Sequence, residues 1–170
     1  MARVVIIYGS TTGNTYDVSE KLQEEWGASE CEMVNVVDAD TELFEGNDFF
    51  IFGVSTWGAG DLQDDWEEFF PTFDEIDLTG KAVAIMGLGD QENYPDQYGD
   101  CVAILHDKVV QRGGKVVGYT KPEGYTYTAS RAERGGKLLG LLLDEDNQAA
   151  QTDSRLRNWV AELKKVSAKT

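Results

Sequence analysis

The stretch VVIIYGSTTGNT, residues 4–15, runs from four apolar residues into a turn rich in glycine and hydroxyl side chains. The segment after it places Val18, Leu22 and Trp26 at i, i+4 and i+8, on one face of a helix. A turn of this composition between a strand and a helix is typical of an anion site. The stretch therefore predicts a strand–turn–helix unit that binds an anion, although the turn contains no lysine or arginine.

The same alternation continues along the chain. Further short apolar runs, bounded by Gly, Asp or Asn, occupy residues 33–37, 49–52, 82–86, 116–119 and 138–143. Helical apolar patterns lie between or after them, at residues 62–73, 101–109 and 156–163. Strands that alternate with helices predict an α/β fold with a doubly wound parallel sheet and right-handed crossovers, in one domain of residues 1–170. Ligands of such sheets bind beyond the carboxyl ends of the strands.

Three chemically suggestive loops follow the predicted strands at that edge, at residues 8–15, 53–62 and 87–100. A fourth polar stretch, residues 121–137, separates two apolar runs. We interpret it as an insertion between two halves of one edge strand.

Charge and composition limit the classes of partner and the compartment that we expect for this chain. The chain has 170 residues, of which 41% are hydrophobic, and a formal net charge of −16 from 31 acidic and 15 basic residues. Such a charge disfavours nucleic acid and anionic membranes as partners and favours a protein with a basic surface. The apolar run near the N-terminus is too short for a signal peptide or a membrane span, so we expect a cytoplasmic protein. We also expect it to be a monomer.

The cysteines and the histidine give no catalytic or metal signature. Cys31 and Cys101 are isolated, without a CxxC motif or a histidine cluster, which indicates reduced, packed cysteines rather than a disulfide or a zinc site. His106 is the only histidine, and its helical setting favours a structural role.

The first loop has the donors that a phosphate needs. Backbone N–H groups at a helix N-terminus can surround a phosphate without a side-chain cation. Gly9 and Gly13 allow close approach of the backbone. Polar side chains come from Ser10, Thr11, Thr12, Asn14 and Thr15. The patterns GxxxxGK[ST] and GxGxxG are both absent from the loop, which leaves a phosphate monoester as the favoured ligand. The alternative is a plain helix-capping turn.

The other two loops each carry an aromatic residue in a polar, glycine-containing setting. Trp57 and Tyr94 are placed to stack on opposite faces of one flat heterocycle. Tyr98 competes with Tyr94 for this role, and an alternative for Trp57 is that it only anchors its own turn. The remaining tryptophans fall on helical apolar stripes and are predicted to be core.

Taken together, these features resemble the flavodoxin family, and the length and the insertion resemble its long-chain type. The resemblance covers essentially the whole sequence and is carried by GSTTGNT, STWGAGDLQDDW, GLGDQENYPDQYGD, EGYTYTASRA and GLLLDEDNQ. It implies a five-stranded sheet in the order 2-1-3-4-5, with the insertion in the last strand, and non-covalently bound FMN. Gln97 stands where Asn is common in the family, and Gly99 where a longer polar side chain is frequent.

The resemblance also implies the site. Residues 10–15 would hold the phosphate, Trp57 and Tyr94 would flank the isoalloxazine ring, and residues 56–60 would pass its N5 edge. Asp90 and its neighbours would meet the pyrimidine edge, and Asp146 would approach the ribityl chain. The implied cofactor-binding residues are Ser10, Thr11, Thr12, Gly13, Asn14, Thr15, Thr56, Trp57, Gly58, Ala59, Gly60, Gly89, Asp90, Tyr94, Gln97 and Asp146. No metal ligand and no catalytic residue is implied.

The resemblance implies that the protein carries single electrons at low potential between a reductase and acceptor redox proteins. It implies an electron carrier rather than an enzyme. The Gly58-Ala59 peptide is the candidate for turning its carbonyl toward N5–H of the reduced flavin. Asp61, Asp64, Asp65, Glu67 and Glu68 are candidate docking residues, with a solvated helix face as the alternative. An FMN-dependent NAD(P)H:quinone reductase is the competing function. A response-regulator receiver shares the topology but needs clustered acids after the first strand.

Overall fold

A computed structural model describes residues 3–57 and 60–167. Its main sheet has three central parallel strands, β1 (Val4–Tyr8), β3 (Phe49–Trp57) and β5 (Ala82–Leu88). β2 (Cys31–Asn35) forms the edge beside β1. β6 (Lys115–Val117) lies beside β5 at the other edge. The sheet order is β2-β1-β3-β5-β6, which confirms the predicted order 2-1-3-4-5 for the five principal strands.

The far edge strand is split, as the sequence predicted. β6 pairs in parallel with Ala82–Ala84, and β9 (Leu141–Leu143) pairs in parallel with Met86–Leu88 of the same strand. Between these halves the chain leaves the sheet and forms a small hairpin, β7 (Glu133–Arg134) with β8 (Lys137–Leu138). The insertion therefore starts and ends on one strand, and it leaves the register of the sheet intact.

β3 is longer than the sequence indicated. Residues 53–57 continue the strand instead of opening a loop, and β4 (Asp61–Leu62) turns back to pair antiparallel with Thr56 and Trp57. The sequence prediction was wrong here because Gly53, Ser55 and Thr56 have loop-like composition. The result is that Trp57 is carried on paired backbone.

Helices cover both faces of the sheet. They are α1 (Asn14–Trp26), α2 (Thr41–Glu45), α3 (Asp64–Phe73), α4 (Asp100–Gln111) and α5 (Ala149–Ser167), with a short 3-10 turn at Val36–Asp38. α2 was not predicted, because a five-residue helix with one buried side chain, Phe44, shows no apolar repeat. In the described residues no helix has the length and apolar character needed to cross a bilayer.

Side chains alternate along each strand into two cores. Val5 and Ile7 of β1 face the core that α3 and α4 cover, whereas Val4 and Ile6 face the core beneath α1 and α5. All four are fully buried. Strands buried on both faces read as continuous apolar runs, which is why β1 was recognisable in the sequence.

Candidate functional site

A cavity of about 410 Å³ opens at the carboxyl ends of β1, β3 and β5. Its volume falls within the range of roughly 300–1,000 Å³ that small-molecule sites occupy. The described residues that line it are Thr12, Asn14, Thr15, Ser55, Thr56, Trp57, Leu88, Gly89, Asp90, Tyr94, Glu145 and Asp146. All three predicted loops therefore meet at one cavity. Sequence reasoning missed Ser55, Leu88 and Glu145, because their positions depend on where β3, β5 and β9 end.

Several predicted site residues lie outside that lining. Among the described residues these are Ser10, Thr11, Gly13, Gly60 and Gln97. Gly58 and Ala59 lie outside the part of the chain that the structure describes, so the turn of their peptide remains a sequence prediction.

The first loop is shaped by its own hydroxyl groups. Ser10 Oγ accepts a hydrogen bond of 3.1 Å from the backbone N–H of Gly13, which has a φ of 96°. Thr11 Oγ1 accepts one of 3.1 Å from Nε2 of Gln63. The side chains of Thr12, Asn14 and Thr15 remain as cavity lining. The two predicted ligands nearest β1 therefore build the loop, and those at the start of α1 face the cavity.

The start of α1 is open to an anion. Gly13 precedes the helix in a left-handed conformation, and no side chain of the described residues caps it. The first N–H groups of a helix have no intrahelical acceptor and carry the positive end of the helix dipole. No lysine or arginine is among the described lining residues, so backbone dipoles and hydroxyl groups are the donors that an anion meets here.

Two aromatic side chains that line the cavity, Trp57 and Tyr94, have large exposed surfaces. Trp57 is 40% exposed and Tyr94 is 46% exposed, whereas Trp26, Trp66 and Trp159 are at most 4% exposed. Indole Nε1 of Trp57 donates a 2.8 Å hydrogen bond to Oγ of Ser55, which fixes the ring at the end of β3. Exposed aromatic surface at a cavity is the arrangement that a flat ligand covers.

Tyr98, the competitor of Tyr94, is core. It is 1% exposed and packs on Tyr127 and Tyr125 with ring centroids 5.5 and 5.9 Å apart. Burial raises the pKa of its hydroxyl above the usual range. Of the two tyrosines, only Tyr94 lines the cavity.

The carboxylate of Asp90 organises its own loop. It accepts hydrogen bonds from the backbone N–H groups of Glu92 (3.1 Å) and Asn93 (3.0 Å) and from Nδ2 of Asn147 (2.8 Å). Burial alone would raise the pKa of Asp90, but these bonds outweigh it and hold the pKa below its usual value. Asp90 thus borders the cavity while its carboxylate accepts bonds from the chain, and its contact with a ligand stays a prediction.

A buried carboxylate links this loop to the turn after β9. Asp144 is fully buried and accepts from the backbone N–H of Gln91 (3.1 Å), Asn147 (3.0 Å) and Asp146 (3.2 Å). Asp146 lines the cavity, and its approach to a ribityl chain stays a prediction from the family resemblance. Burial, and then the neighbouring carboxylates of Asp90 and Asp144, raise the pKa of Asp146.

Gly60 and Gln97 pack away from the cavity. A Cβ atom on Gly60 would lie 2.8 Å from Oδ2 of Asp100, so this glycine packs against the start of α4. The carbonyl of Gln97 accepts from the N–H of Asp100 at 3.2 Å and shapes the turn before the same helix. Both residues support the loops that border the cavity.

The remaining reactive side chains have structural surroundings. Cys31 and Cys101 are free and buried, and burial raises the pKa of each thiol to about 12. His106 is 9% exposed and lies between Oδ1 of Asp107 (3.0 Å) and the hydroxyl of Tyr119 (2.7 Å). No cluster of metal-ligating side chains occurs in residues 3–57 and 60–167.

The lining fits a phosphate ester with a flat aromatic head. It combines uncapped helix N–H groups and hydroxyl side chains with two exposed aromatic rings. The carboxylates of Asp90, Glu145 and Asp146 border the same cavity, which leaves the helix end as its anion-attracting part.

Comparison with known proteins agrees with this geometry. The flavodoxin family model matches residues 6–159. A flavodoxin from Nostoc sp. is 42% identical over 162 residues, which is 95% of both chains. One from Synechocystis sp. is 42% identical over 167 residues, or 98% of both chains.

A solved structure shares the fold. The crystal structure of Fusobacterium nucleatum flavodoxin bound to flavin mononucleotide matches with a TM-score of 0.90 at 32% identity, covering 97% of this chain and 98% of that one. The family model, the relatives and the sheet order agree, and the chain belongs to the flavodoxin family.

Proposed function

We propose that this chain binds FMN non-covalently and carries single electrons at low potential from a reductase to acceptor redox proteins. The observation that supports this most directly is the composition of the cavity lining. An uncapped helix N-terminus and the exposed rings of Trp57 and Tyr94 border the same cavity. FMN has a phosphate and a flat ring at opposite ends, and it supplies the electron chemistry when bound.

Each part of the lining has a defined task in this proposal. Thr12, Asn14 and Thr15, with the first N–H groups of α1, bind the phosphate. Trp57 and Tyr94 cover the two faces of the ring and exclude water from it. Gly89 lets the backbone of its loop approach the ring edge.

The surrounding charge sets a low potential. Reduction adds negative charge to a cavity bordered by three carboxylates, in a chain of net charge −16. One unit charge at about 10 Å opposes another by roughly 0.4 to 1.7 kcal/mol for effective dielectric constants between 80 and 20. Because salt screens such interactions, the midpoint potential rises with ionic strength, and a salt-independent potential would contradict this account.

The two aromatic walls favour a carrier over an enzyme. A quinone reductase must admit a hydride donor and an acceptor to one ring face, and in this proposal side chains cover both faces. The purified protein should therefore oxidise NADPH only when a reductase is added. Fast NADPH oxidation with a quinone alone would favour the reductase.

The start of α3 is the proposed docking surface for basic partners. Asp61, Asp64, Glu67 and Glu68 are exposed there, next to the strand pair that carries Trp57. Opposite charges on two proteins accelerate their encounter at low salt. Asp64→Asn combined with Glu68→Gln should slow electron transfer to a basic acceptor such as cytochrome c, whereas Glu24→Gln on α1 should not. Equal rates for all variants would discard this surface.

The proposed setting is a cytoplasmic monomer built as one flavodoxin-like unit. Two buried, unpaired cysteines are in keeping with a reducing compartment. Gel filtration of the FMN-loaded protein tests the monomer.

A titration of the apoprotein with FMN tests the central proposal. Binding should quench the flavin fluorescence and shift the visible spectrum, with saturation at one FMN per chain. A folded protein that stays colourless and leaves FMN fluorescence unchanged would overturn the proposal.

A further inference from the structure

One buried polar side chain, Gln63, contacts the first loop without lining the cavity. Gln63 is 1% exposed and occupies the single position between β4 and α3. β4 pairs with Thr56 and Trp57, so Gln63 directly follows the segment that returns from the ring wall.

The amide of Gln63 joins the start of α3 to the first loop. Its Oε1 accepts a hydrogen bond of 3.3 Å from the backbone N–H of Trp66, which caps α3. Its Nε2 donates to Oγ1 of Thr11 and to Oδ2 of Asp65, each at 3.1 Å. Only a side chain with both an acceptor and a donor can make this set of bonds.

The bond to Thr11 also has a direction. Because Oγ1 of Thr11 accepts from the amide, the hydroxyl proton of Thr11 stays free to be donated elsewhere. Gln63 therefore fixes Thr11 as an acceptor in this bond and so holds the loop in place behind the residues that line the cavity.

The first loop also packs directly on Gln63 and Trp66. A Cβ atom on Gly9 would lie 2.3 Å from Oε1 of Gln63 and 2.8 Å from Cδ1 of Trp66, so the loop begins directly on these two side chains. The carbonyl of Gly53 accepts from the N–H of Gly9 (3.1 Å) and from Nε1 of Trp66 (2.9 Å). The loop thus rests on the start of α3 as well as on its own helix.

We propose that Gln63 is a positioning residue that sets the affinity of the 10–15 loop for the cofactor phosphate and couples that loop to the segment carrying Trp57. The inference rests on the proposed function, because it concerns how the same site holds FMN. Gln63 acts through Thr11 and the loop backbone and does not itself line the cavity.

Comparing FMN with riboflavin, which lacks the phosphate, isolates this role. Gln63→Ala should weaken FMN binding about tenfold, the equivalent of roughly 1.4 kcal/mol, and leave riboflavin binding within about twofold. Gln63→Glu retains an acceptor for Trp66 N–H but has no donor for Thr11, so it should lose at least as much FMN affinity. A merely structural role would change both ligands alike.

Gln23→Ala is the matched control. Nε2 of Gln23 makes a single 2.8 Å bond to the carbonyl of Cys31, between α1 and β2, remote from the 10–15 loop. This variant should lose some stability and keep the FMN-to-riboflavin ratio of the wild-type chain.

A double-mutant cycle with Thr11→Val and a competition with inorganic phosphate complete the test. The losses from Gln63→Ala and Thr11→Val should be less than additive, and Gln63→Ala should weaken the competition by phosphate. Equal losses for FMN and riboflavin, or an unchanged ratio, would overturn the inference, as would failure of both Gln63 variants to fold. Failure of the wild-type chain to bind FMN would instead overturn the proposed function.

Discussion

Two helices begin at the same edge of the sheet in the same way, yet they meet different partners. α1 follows Gly13, with a φ of 96°, and α4 follows Gly99, with a φ of 69°. Neither helix has a side-chain cap at that glycine among the described residues. Local backbone geometry alone therefore does not decide which helix end binds a ligand.

The difference lies in what the chain itself supplies. At α4, the N–H of Cys101 donates to Oγ1 of Thr56 at 3.1 Å, and the carboxylate of Asp100, 2% exposed, sits in the first turn and accepts from the N–H of Arg131 at 2.8 Å. At α1, the first turn borders the cavity, and its residues Asn14 and Thr15 line it. A helix end becomes an anion site when the protein leaves its donors without an internal acceptor.

The largest expected effect comes from comparing FMN with riboflavin, which lacks the phosphate. Several charge-assisted hydrogen bonds at about 1.5–3 kcal/mol each predict that FMN binds roughly 100-fold or more tightly than riboflavin. Parallel fluorescence titrations measure both constants. Affinities within threefold of one another would show that the end of α1 is not the anion site.

Alanine substitutions at Gly13 and Gly99 should have different effects on stability. Gly99→Ala combines a left-handed backbone with a Cβ only 2.6 Å from Cδ2 of Leu142, so we expect a stability loss of about 2–4 kcal/mol. Gly13→Ala meets no atom within 4 Å and should cost only about 1 kcal/mol of stability.

Ligand binding should show the reverse order. Gly13→Ala should lower FMN affinity about tenfold and leave riboflavin affinity nearly unchanged, because it disturbs the phosphate end alone. Urea denaturation and flavin titration give the two quantities. If Gly99→Ala were the variant with the selective FMN loss, the assignment of the two helix ends would be reversed.

Removing one of the two aromatic rings that line the cavity sharpens the comparison without involving the phosphate. Trp57→Ala or Tyr94→Ala should weaken FMN and riboflavin equally, by about tenfold each, because stacking does not involve the phosphate. Tyr119→Ala is the control, since Tyr119 is 45% exposed and does not line the cavity. A loss confined to FMN would contradict the assignment of these rings.

The smallest expected effect is on stability, through the pH dependence of an ion pair between Asp107 of α4 and Arg134 of β7. Two hydrogen bonds from Arg134, at 2.8 and 3.0 Å, together with His106 outweigh burial and hold the pKa of Asp107 at about 2. An unfolded aspartate titrates near 3.9, so the folded state gains stability above about pH 4 and loses it as the pH falls toward 2.

Asp107→Asn measures that contribution. Its melting temperature should lie below that of the wild-type chain at pH 6, and the gap should close between pH 4 and 2.5. Arg134→Gln should show the same convergence. A gap that stays constant with pH would mean that the pair contributes no charge-dependent stability.

The sequence predicted the sheet because apolar runs buried on both faces leave an unmistakable pattern. β1 and its loop were recognised from residues 4–15, and the two halves of the edge strand were recognised on either side of the insertion. Strand order came from the family resemblance, since periodicity does not reveal which strands are neighbours.

What the sequence did not reveal depends on contacts between distant segments. Gln63 resembles an ordinary helix-start residue until its bond to Thr11, 52 positions away, is seen. Asp90 lines the cavity, and its carboxylate also accepts hydrogen bonds from Asn93 and Asn147, which the sequence did not indicate. Polar residues in a loop can serve the ligand or the loop, and composition does not distinguish the two.

The interrupted edge strand has a consequence for how this protein can vary in length. The chain departs after Val117 and must resume at Leu141 in step with Met86, and a Cβ on Gly140 would come within 2.1 Å of the carbonyl oxygen of Ile85. The length of the insertion can therefore change, because both of its ends lie beside β5. The residue at position 140 cannot change, since only a glycine fits against the carbonyl of Ile85.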